Sequence, residues 1–201
     1  MGKIVKPGDL SNRVPPGQYL TTKFPVLTYG PVPRFNPQTW DFRVFGEVQE
    51  ALRFSYEQFR TLPTSTMVAD FHCVTTWSRL DNAWEGVLVK DLMKLVKLKP
   101  EARFVLVHCD AGYTTNLPLK YFLDDDVMLA WRHDGADLTP DHGYPLRLVV
   151  PKLYAWKSAK WVRAIEFLAR DVRGFWEVRG YHNRADPWLE ERYSFQEEPE
   201  E

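Results

Sequence analysis

Cysteine is scarce in this sequence, and so are long apolar runs and an excess of charge of either sign. Two cysteines in 201 residues, not arranged as a CxxC pair, exclude a disulfide framework and favour a reducing compartment. No apolar run exceeds five residues, so no membrane-spanning helix is predicted. A net charge of -1 offers no general basic field for nucleic acid. The first residues contain neither an apolar h-region nor a twin arginine, and we expect a cytoplasmic protein.

Aromatic residues and proline are abundant instead. The chain has 8 Trp, 9 Tyr, 12 Phe and 15 Pro, with ordinary hydrophobic and charged fractions of 44% and 26%. Such a composition favours sheets and ordered loops over long helices. The rings either fill a large core or line a site for a planar ligand, and composition alone leaves both possibilities open.

Proline is concentrated at the beginning of the chain. Because proline lacks an amide donor and fixes φ, residues 1–40 are predicted to form an extended arm packed on the domain. Residues 41–195 are predicted to form the domain, and residues 196–201 a solvated acidic tail. The prolines of the arm are Pro7, Pro15, Pro16, Pro25, Pro31, Pro33 and Pro37.

Short strand patterns dominate the rest of the chain, with a few helical patterns between them. They predict a single α+β domain with a mixed sheet. The predicted strands cover residues 40–46, 66–73, 103–109, 127–132 and 146–151, and residues 84–89 lead into a predicted helix.

Helices are predicted where apolar positions recur three and four residues apart. The helix over residues 54–63 has Ser55 as its N-cap and ends at Pro63. The other predicted elements are helices at 90–96 and 119–126, a polar turn at 110–117, a hairpin turn at 133–136, and a strand or helix at 159–167.

Cys73 ends a predicted strand and is preceded by a histidine, and His108–Cys109 repeats the arrangement. If the two strands were neighbours, their N and S ligands could hold zinc. Adjacent strand residues point to opposite faces, however, which disfavours one shared metal. Cys73 could instead be a nucleophile activated by His108 or His142. Cys109 itself is expected to be a buried apolar thiol.

A second informative stretch covers residues 141–161 and contains His142, Arg147, Ser158 and Lys160. Arginine offers a planar bidentate fork and lysine a point charge, and both suit a phosphate. The same charges also fit a solvated protein face, so the pattern alone leaves both interpretations open.

Together these stretches resemble the molybdopterin-binding core of the sulfite oxidase family, which includes bacterial methionine sulfoxide reductase catalytic subunits. From His142 the sequence reads His-Gly-x-Pro-x-Arg-x-Val-Val-Pro, and from Lys157 it reads Lys-Ser-x-Lys-Trp. The segment around Cys73 is similar to the family's segment with the metal-binding cysteine. The segment Trp176 to Tyr181 is similar to the one that ends in an active-site tyrosine. The motifs occur in the family's order over about residues 20 to 192.

The resemblance implies an α+β domain that holds one molybdenum cofactor and transfers an oxygen atom, with two electrons, to or from a small substrate. Molybdenum is then held by the pterin dithiolene and by the thiolate of Cys73, which is both metal ligand and catalytic residue. A soft thiolate suits such a metal. Tyr181 is the second catalytic residue and orients the substrate. The implied cofactor-binding residues are Cys73, Thr114, His142, Arg147, Ser158 and Lys160.

The sequence departs from the animal and plant sulfite oxidases in the arm. Residues 27–29 read Leu-Thr-Tyr where those enzymes carry Arg-Asn-His, so sulfite is a doubtful substrate. No CxxCH haem motif is present, and an external electron-transfer partner is expected. Two other functions stay open: a module that only holds or transfers the cofactor, and a Cys-dependent hydrolase. Three arginines outside the arm could still supply a charge for an anion: Arg79, Arg179 and Arg184.

Overall fold

The structure, a computed structural model, describes residue 10 and residues 12–197. Pro7 of the predicted arm and residues 198–201 of the predicted tail lie outside the described residues. The strands are β1 (Tyr19–Leu20), β2 (Asp41–Gly46), β3 (Leu52–Ser55), β4 (Ser65–His72), β5 (Trp77–Leu88), β6 (Phe104–Cys109), β7 (Thr114–Pro118), β8 (Met128–His133), β9 (Ala136–Asp137), β10 (Arg147–Val149) and β11 (Val162–Leu168). The α-helices are α1 (Tyr56–Arg60), α2 (Val89–Leu92) and α3 (Leu119–Phe122).

Two sheets form the framework. The first has the order β1-β5-β8-β10, with β4 paired to β5 and β9 paired to β8. The second has the order β3-β2-β11-β6-β7. Each sheet contains one parallel pair, β1 with β5 and β11 with β2, and its other pairs are antiparallel. The predicted α+β class with mixed pairing is confirmed.

Alternation along β8 shows how the first sheet is covered on both faces. Leu129 and Trp131 belong to the main hydrophobic core, which also contains the apolar residues of the second sheet. Met128 and Ala130 belong to a smaller cluster on the opposite face. Successive strand residues point to opposite faces, so one strand serves both clusters. Cys73 lies in the smaller cluster, away from the main core.

Most predicted elements are present. Helix α1 begins after Ser55, whose hydroxyl accepts the amide of Gln58 in a capping box, and it ends before Pro63. The hairpin turn between β8 and β9 is confirmed, with positive φ at Asp134 and Gly135. The predicted helices at 90–96 and 119–126 are shorter, since α2 continues as the 3₁₀ turn Met93–Leu95 and α3 ends at Phe122. Residues 159–167 contribute to strand β11.

The predicted polar turn at 110–117 is wrong in its second half. Only Asp110–Gly112 form a 3₁₀ turn, and β7 follows it and pairs with β6. The polar residues Thr115 and Asn116 are buried in β7 because their side chains hydrogen-bond to Glu177 and Asp171. The polar residues of this segment therefore belong to a buried strand and not to a solvated turn.

The described part of the arm lies on the domain. β1 pairs with β5, and Phe24 packs edge-on against Phe71, Trp77 and Trp84 of the smaller cluster. The division between arm and domain at residue 40, and the tail from residue 196, stay predictions. No helix among the described residues is long and apolar enough to cross a membrane.

Candidate functional site

A cavity of about 510 Å³ opens between the arm, the β4–β5 turn, the loop from β10 to β11 and the segment after Gly174. Its size is within the range of small-molecule and cofactor sites. Six of the predicted site residues line it together: Cys73, His142, Arg147, Ser158, Lys160 and Tyr181. Thr114 is not among the lining residues, although its neighbour Tyr113 is.

Cys73 sits in the tight turn that joins β4 to β5. Its amide donates to the carbonyl of Trp77 (2.9 Å), and its carbonyl accepts the amide of Thr76 (3.0 Å), which has a positive φ of 74°. Cys73 is 5% exposed, and its Sγ lies 3.1 Å from the hydroxyl of Thr75. The turn thus fixes a single sulfur at the cavity wall.

The surroundings of this thiol do not make it a free nucleophile. Burial raises the pKa of Cys73, and the Thr75 hydrogen bond and the charges of Arg147 and Arg192 offset the rise only in part. No histidine of the described residues hydrogen-bonds to the sulfur. The thiol is therefore protonated at neutral pH, whereas bonding to a metal would remove the proton.

The zinc alternative has no geometric basis. The strands that precede Cys73 and Cys109 lie in different sheets. His72 is buried and directs Nδ1 to the hydroxyl of Ser78 (2.8 Å), away from the cavity. Within residues 10 and 12–197, no three His, Cys, Asp or Glu side chains are grouped so as to hold a metal ion.

Arg147 brings a positive charge into the cavity at the start of β10. Its guanidinium lies 5.0–5.9 Å from the ring centres of Phe24, Phe71 and Trp84. One nitrogen donates to the carbonyl of His142 (3.1 Å), and the buried Nε has no partner. In the described chain no carboxylate is within ion-pair distance of it. Burial lowers the pKa of Arg147 to about 10, so it remains charged at neutral pH.

His142 extends this positive region with a neutral ring. It stacks on Phe24 with ring centres 4.4 Å apart and planes at 6°. Burial lowers the pKa of His142, and the charges of Arg147 and Lys160 lower it further. The uncharged ring can donate a hydrogen bond into the cavity or accept one from it.

Ser158 and Lys160 come from the loop between β10 and β11. The Ser158 hydroxyl accepts the amide of Val150 (2.9 Å). Lys160 directs its three donors to the carbonyls of Leu27 and Asp141 and to the hydroxyl of Thr28, at 2.5–3.0 Å. Burial lowers the pKa of Lys160 to about 8. Lys160 therefore ties the arm to the loop at the cavity wall.

Tyr181 closes the opposite side of the cavity among aromatic rings. Its ring centre is 5.3 Å from that of Trp156 and 5.2 Å from that of Trp176. Burial raises the pKa of its hydroxyl, which stays protonated. Sequence reasoning missed several aromatic residues of the cavity lining, and its only signal for them was the aromatic-rich composition. They include Phe24, Tyr113, Trp156, Trp161 and Phe175.

Comparisons with known proteins identify the family of the chain. Residues 29–176 match the family described as the oxidoreductase molybdopterin binding domain. The uncharacterized oxidoreductase YuiH of Bacillus subtilis (strain 168) is 48% identical over 188 residues, covering 93% of this chain and 95% of the relative. The protein-methionine-sulfoxide reductase catalytic subunit MsrP of Campylobacter jejuni is 31% identical over 166 residues, covering 71% of this chain and 54% of the relative.

A solved structure supports the fold alone. The sulfane dehydrogenase SoxCD of Paracoccus pantotrophus superposes with a TM-score of 0.67 at 24% identity, covering 78% of this chain and 46% of that chain. The family match spans most of the sequence and includes the segments that carry Cys73, Arg147 and Lys160. The chain therefore belongs to the oxidoreductase molybdopterin-binding domain family of sulfite oxidase type, and it is an oxidoreductase whose cofactor is the molybdenum cofactor.

Proposed function

We propose that the protein transfers an oxygen atom, with two electrons, between a small uncharged substrate and a molybdenum centre held in this cavity. The observation that carries the proposal is the pairing of two groups in one cavity. Arg147 presents a buried cation without a carboxylate partner, and Cys73 presents a single soft sulfur. The first requires an anion, and the second suits a thiophilic metal.

The lining residues fit the cofactor. A phosphate on the pterin would supply the anion that Arg147 lacks, and the orphaned Nε of Arg147 is free to donate to it. His142, Ser158 and Lys160 border the same region and would complete the holding set. Cys73 would give the metal its protein ligand. When bound, the cofactor supplies a centre that exchanges two electrons and an oxygen atom with the substrate.

Residues around Tyr181 would shape the substrate end. The Tyr181 hydroxyl is protonated and can donate a hydrogen bond to the substrate's oxygen. Trp156 and Trp176 pack against it, Phe175 lines the same cavity, and the three rings would exclude water. Thr114 would act only through the backbone, since its carbonyl accepts the amide of Phe175 (2.8 Å).

Charge at this end favours an uncharged substrate over sulfite. None of the three candidate arginines lines the cavity. Arg79 pairs with Asp134, Arg184 pairs with Glu191, and Arg179 lies over the Phe175 ring and donates to its backbone. A sulfoxide, the group in the name of the Campylobacter relative, is uncharged and matches an aromatic lining.

Two further parts of the proposal concern the surroundings of the enzyme. An external electron carrier would reset the metal after each turnover, because the sequence contains no CxxCH haem motif. The cytoplasmic location stays a prediction from the sequence. Cell fractionation of the natural host would test it.

The decisive experiment measures metal and turnover on the same preparations. Protein from a molybdate-fed, cofactor-competent host should contain about one molybdenum per chain and reduce sulfoxides or N-oxides faster than it oxidises sulfite. Cys73→Ala should lose at least ~100-fold in rate together with most of its metal, since it removes a metal ligand. Tyr181→Phe should keep the metal and lose ~10- to 100-fold in kcat.

The alternatives predict other outcomes of that experiment. A carrier module would contain the cofactor but show no turnover, and Tyr181→Phe would change nothing. A Cys-dependent hydrolase would show esterase or amidase activity without metal, and an electrophile would label Cys73 rapidly. Metal-poor protein from a competent host would count against the enzyme proposal.

A further inference from the structure

A fully buried ion pair lies behind the aromatic wall of the cavity. Lys157 Nζ is 2.6 Å from Glu177 Oε1, and both side chains have 0% exposure. Neither residue lines the cavity, and neither belongs to the predicted site. Burial lowers the pKa of Lys157, against the raising effect of Glu177, so the structure has placed two charges where they are costly to desolvate.

Such a pair is weak as a stabilising device, because an apolar pair of similar volume often serves as well or better. Lys157 uses its other two donors on the carbonyl and side-chain oxygens of Asn116, at 2.8 and 3.0 Å. Its three protons therefore all have acceptors, and the two bonds to Asn116 join the loop between β10 and β11 to β7. The pair calls for an explanation other than stability.

Glu177 supplies that explanation through its second role. The same Oε1 atom accepts the indole N–H of Trp156 (3.0 Å) and the hydroxyl of Thr115 (3.0 Å). The other carboxylate oxygen, Oε2, is buried without a partner. All of the directional bonding thus converges on one oxygen, and that oxygen fixes the orientation of the Trp156 ring.

The backbone and one ring face of Trp156 are also held in place. Its carbonyl accepts the hydroxyl of Tyr113 (2.8 Å), and its ring stacks on Tyr154 with planes at 15°. The free side of the ring meets Tyr181, whose centre is 5.3 Å away. Glu177 is also four residues before Tyr181 and directly follows Trp176, whose carbonyl accepts the Tyr181 amide (3.2 Å).

We infer that Lys157 and Glu177 are positioning residues, which lock the Trp156 ring against Tyr181 and so hold the Tyr181 hydroxyl where the substrate is bound. The inference about position concerns the protein alone. Its consequence for the rate rests on the proposed function.

The position can be tested without cofactor. Metal-free protein labelled with 5-fluorotryptophan gives one ¹⁹F resonance for each of its 8 Trp, and Trp156→Phe assigns the relevant one. Lys157→Met with Glu177→Leu removes both charges and the accepting oxygen, and we expect the Trp156 resonance to shift and broaden. Lys157→Met with Glu177→Gln retains an oxygen at the acceptor position and should leave that resonance close to its original place.

The rate is tested on the loaded enzyme. Lys157→Met/Glu177→Leu should lose ~10- to 100-fold in kcat, with KM and molybdenum content unchanged. Adding Tyr181→Phe to this double variant should lower kcat little further, because both changes abolish the same function, the placement of the Tyr181 hydroxyl. The matched control replaces the partly exposed pair Lys152–Asp124 (2.9 Å) by Lys152→Met/Asp124→Leu and should keep the wild-type rate.

An unshifted Trp156 resonance in Lys157→Met/Glu177→Leu would overturn the inference, as would an unchanged kcat. If that variant does not fold, Trp156→Phe provides the test. It leaves the Lys157–Glu177 pair intact and replaces only the indole ring whose N–H donates to Glu177. It should lower kcat with metal retained, and an unchanged kcat contradicts the inference. Absence of turnover with every substrate class would refute the proposed function, while the ¹⁹F result would still decide the position.

Discussion

Arg147 shows most directly how a single residue can indicate the charge of a ligand. The folded chain carries a guanidinium into an aromatic enclosure, gives it one carbonyl as acceptor, and leaves Nε without a partner. Desolvating a charge costs several kcal/mol, and the three ring contacts contribute ~0.5–2 kcal/mol each, so they recover only part of that cost. The lowered pKa of Arg147 points the same way, because it means that the surroundings disfavour the charge.

From this balance we predict opposite effects of Arg147→Met on stability and on cofactor retention. In metal-free protein the substitution should raise the free energy of unfolding by about 1–2 kcal/mol, because it removes an uncompensated charge and keeps the ring contacts. In a cofactor-competent host the same variant should retain less than ~10% of the wild-type molybdenum, a loss of about 1.4 kcal/mol or more in binding. Urea unfolding and elemental analysis measure the two effects. A destabilised metal-free variant would show that the rings and the His142 carbonyl fully compensate the charge.

The residues of the site were predictable to the extent that they belong to contiguous motifs. Cys73, Arg147 and Lys160 stand at motif positions, and the cavity brings them together. Trp156 and Tyr113 were not predictable as lining residues, because an aromatic side chain in a strand or loop has the same pattern whether it faces the core or a cavity. Lys157 begins the Lys-Ser-x-Lys-Trp motif, yet its charge is neutralised by Glu177, twenty residues along the chain. That pairing exists only in three dimensions.

Strand β5 is the strand of the first sheet that connects β1, β4 and β8. It pairs with β4 along its length and with β1 and β8 on its other side, and a register shift lies between Glu85 and Gly86. A Cβ on Gly86 would lie 2.1 Å from the carbonyl oxygen of Leu129 and 2.7 Å from the Cα of Ala130. The strands approach so closely there that only glycine fits.

We predict that Gly86→Ala destabilises the protein by about 3 kcal/mol or prevents folding, since backbone atoms of β8 would have to move. The control is Gly135→Ala in the exposed β8–β9 turn, where φ is +80° and no atom lies within 4 Å of the added Cβ. That change should cost only ~1–2 kcal/mol of backbone strain. Equal losses in urea unfolding would mean that the crowding at Gly86 is relieved by a small shift of β8.

At the level of elements, the patterns that predicted correctly were those with a local cause. Helix α1 has its cap and its terminating proline within the sequence that forms it. Strand β7 was misread as a turn because the partners of its polar side chains, Glu177 and Asp171, lie some sixty residues away. Residues 159–167 fitted two periods, and their place between β2 and β6 decided for a strand. Elements whose stabilising contacts are local can be predicted from the sequence, whereas the others depend on their position in a sheet.

On the scale of the whole molecule, the arm closes one side of the cavity. Phe24 fills the aromatic cluster beside Arg147, and residues 24–31 supply much of one wall. Lys160 binds this wall through the Leu27 carbonyl and the Thr28 hydroxyl. A bound cofactor would touch the arm and the domain together, so loading the site should couple the two more firmly.

Trypsin digestion can measure this coupling, because the exposed Lys23 and Arg34 flank residues 24–31, which form the wall. Bound cofactor should slow cleavage after both residues by ~10-fold or more, because cleavage requires the arm to detach from the domain. A tenfold change corresponds to about 1.4 kcal/mol. In metal-free protein, Lys160→Met should speed cleavage at the same sites by ~10-fold, because it removes two hydrogen bonds, worth ~1 kcal/mol each, between arm and loop. The control is Lys152→Met, which removes ion pairs with Asp124 and Asp126 and should leave the cleavage rate unchanged.

Mass spectrometry of the fragments follows cleavage in all four samples. Equal cleavage with and without cofactor would mean that the arm is held by Phe24 and β1 alone, and that the cofactor enters without displacing it.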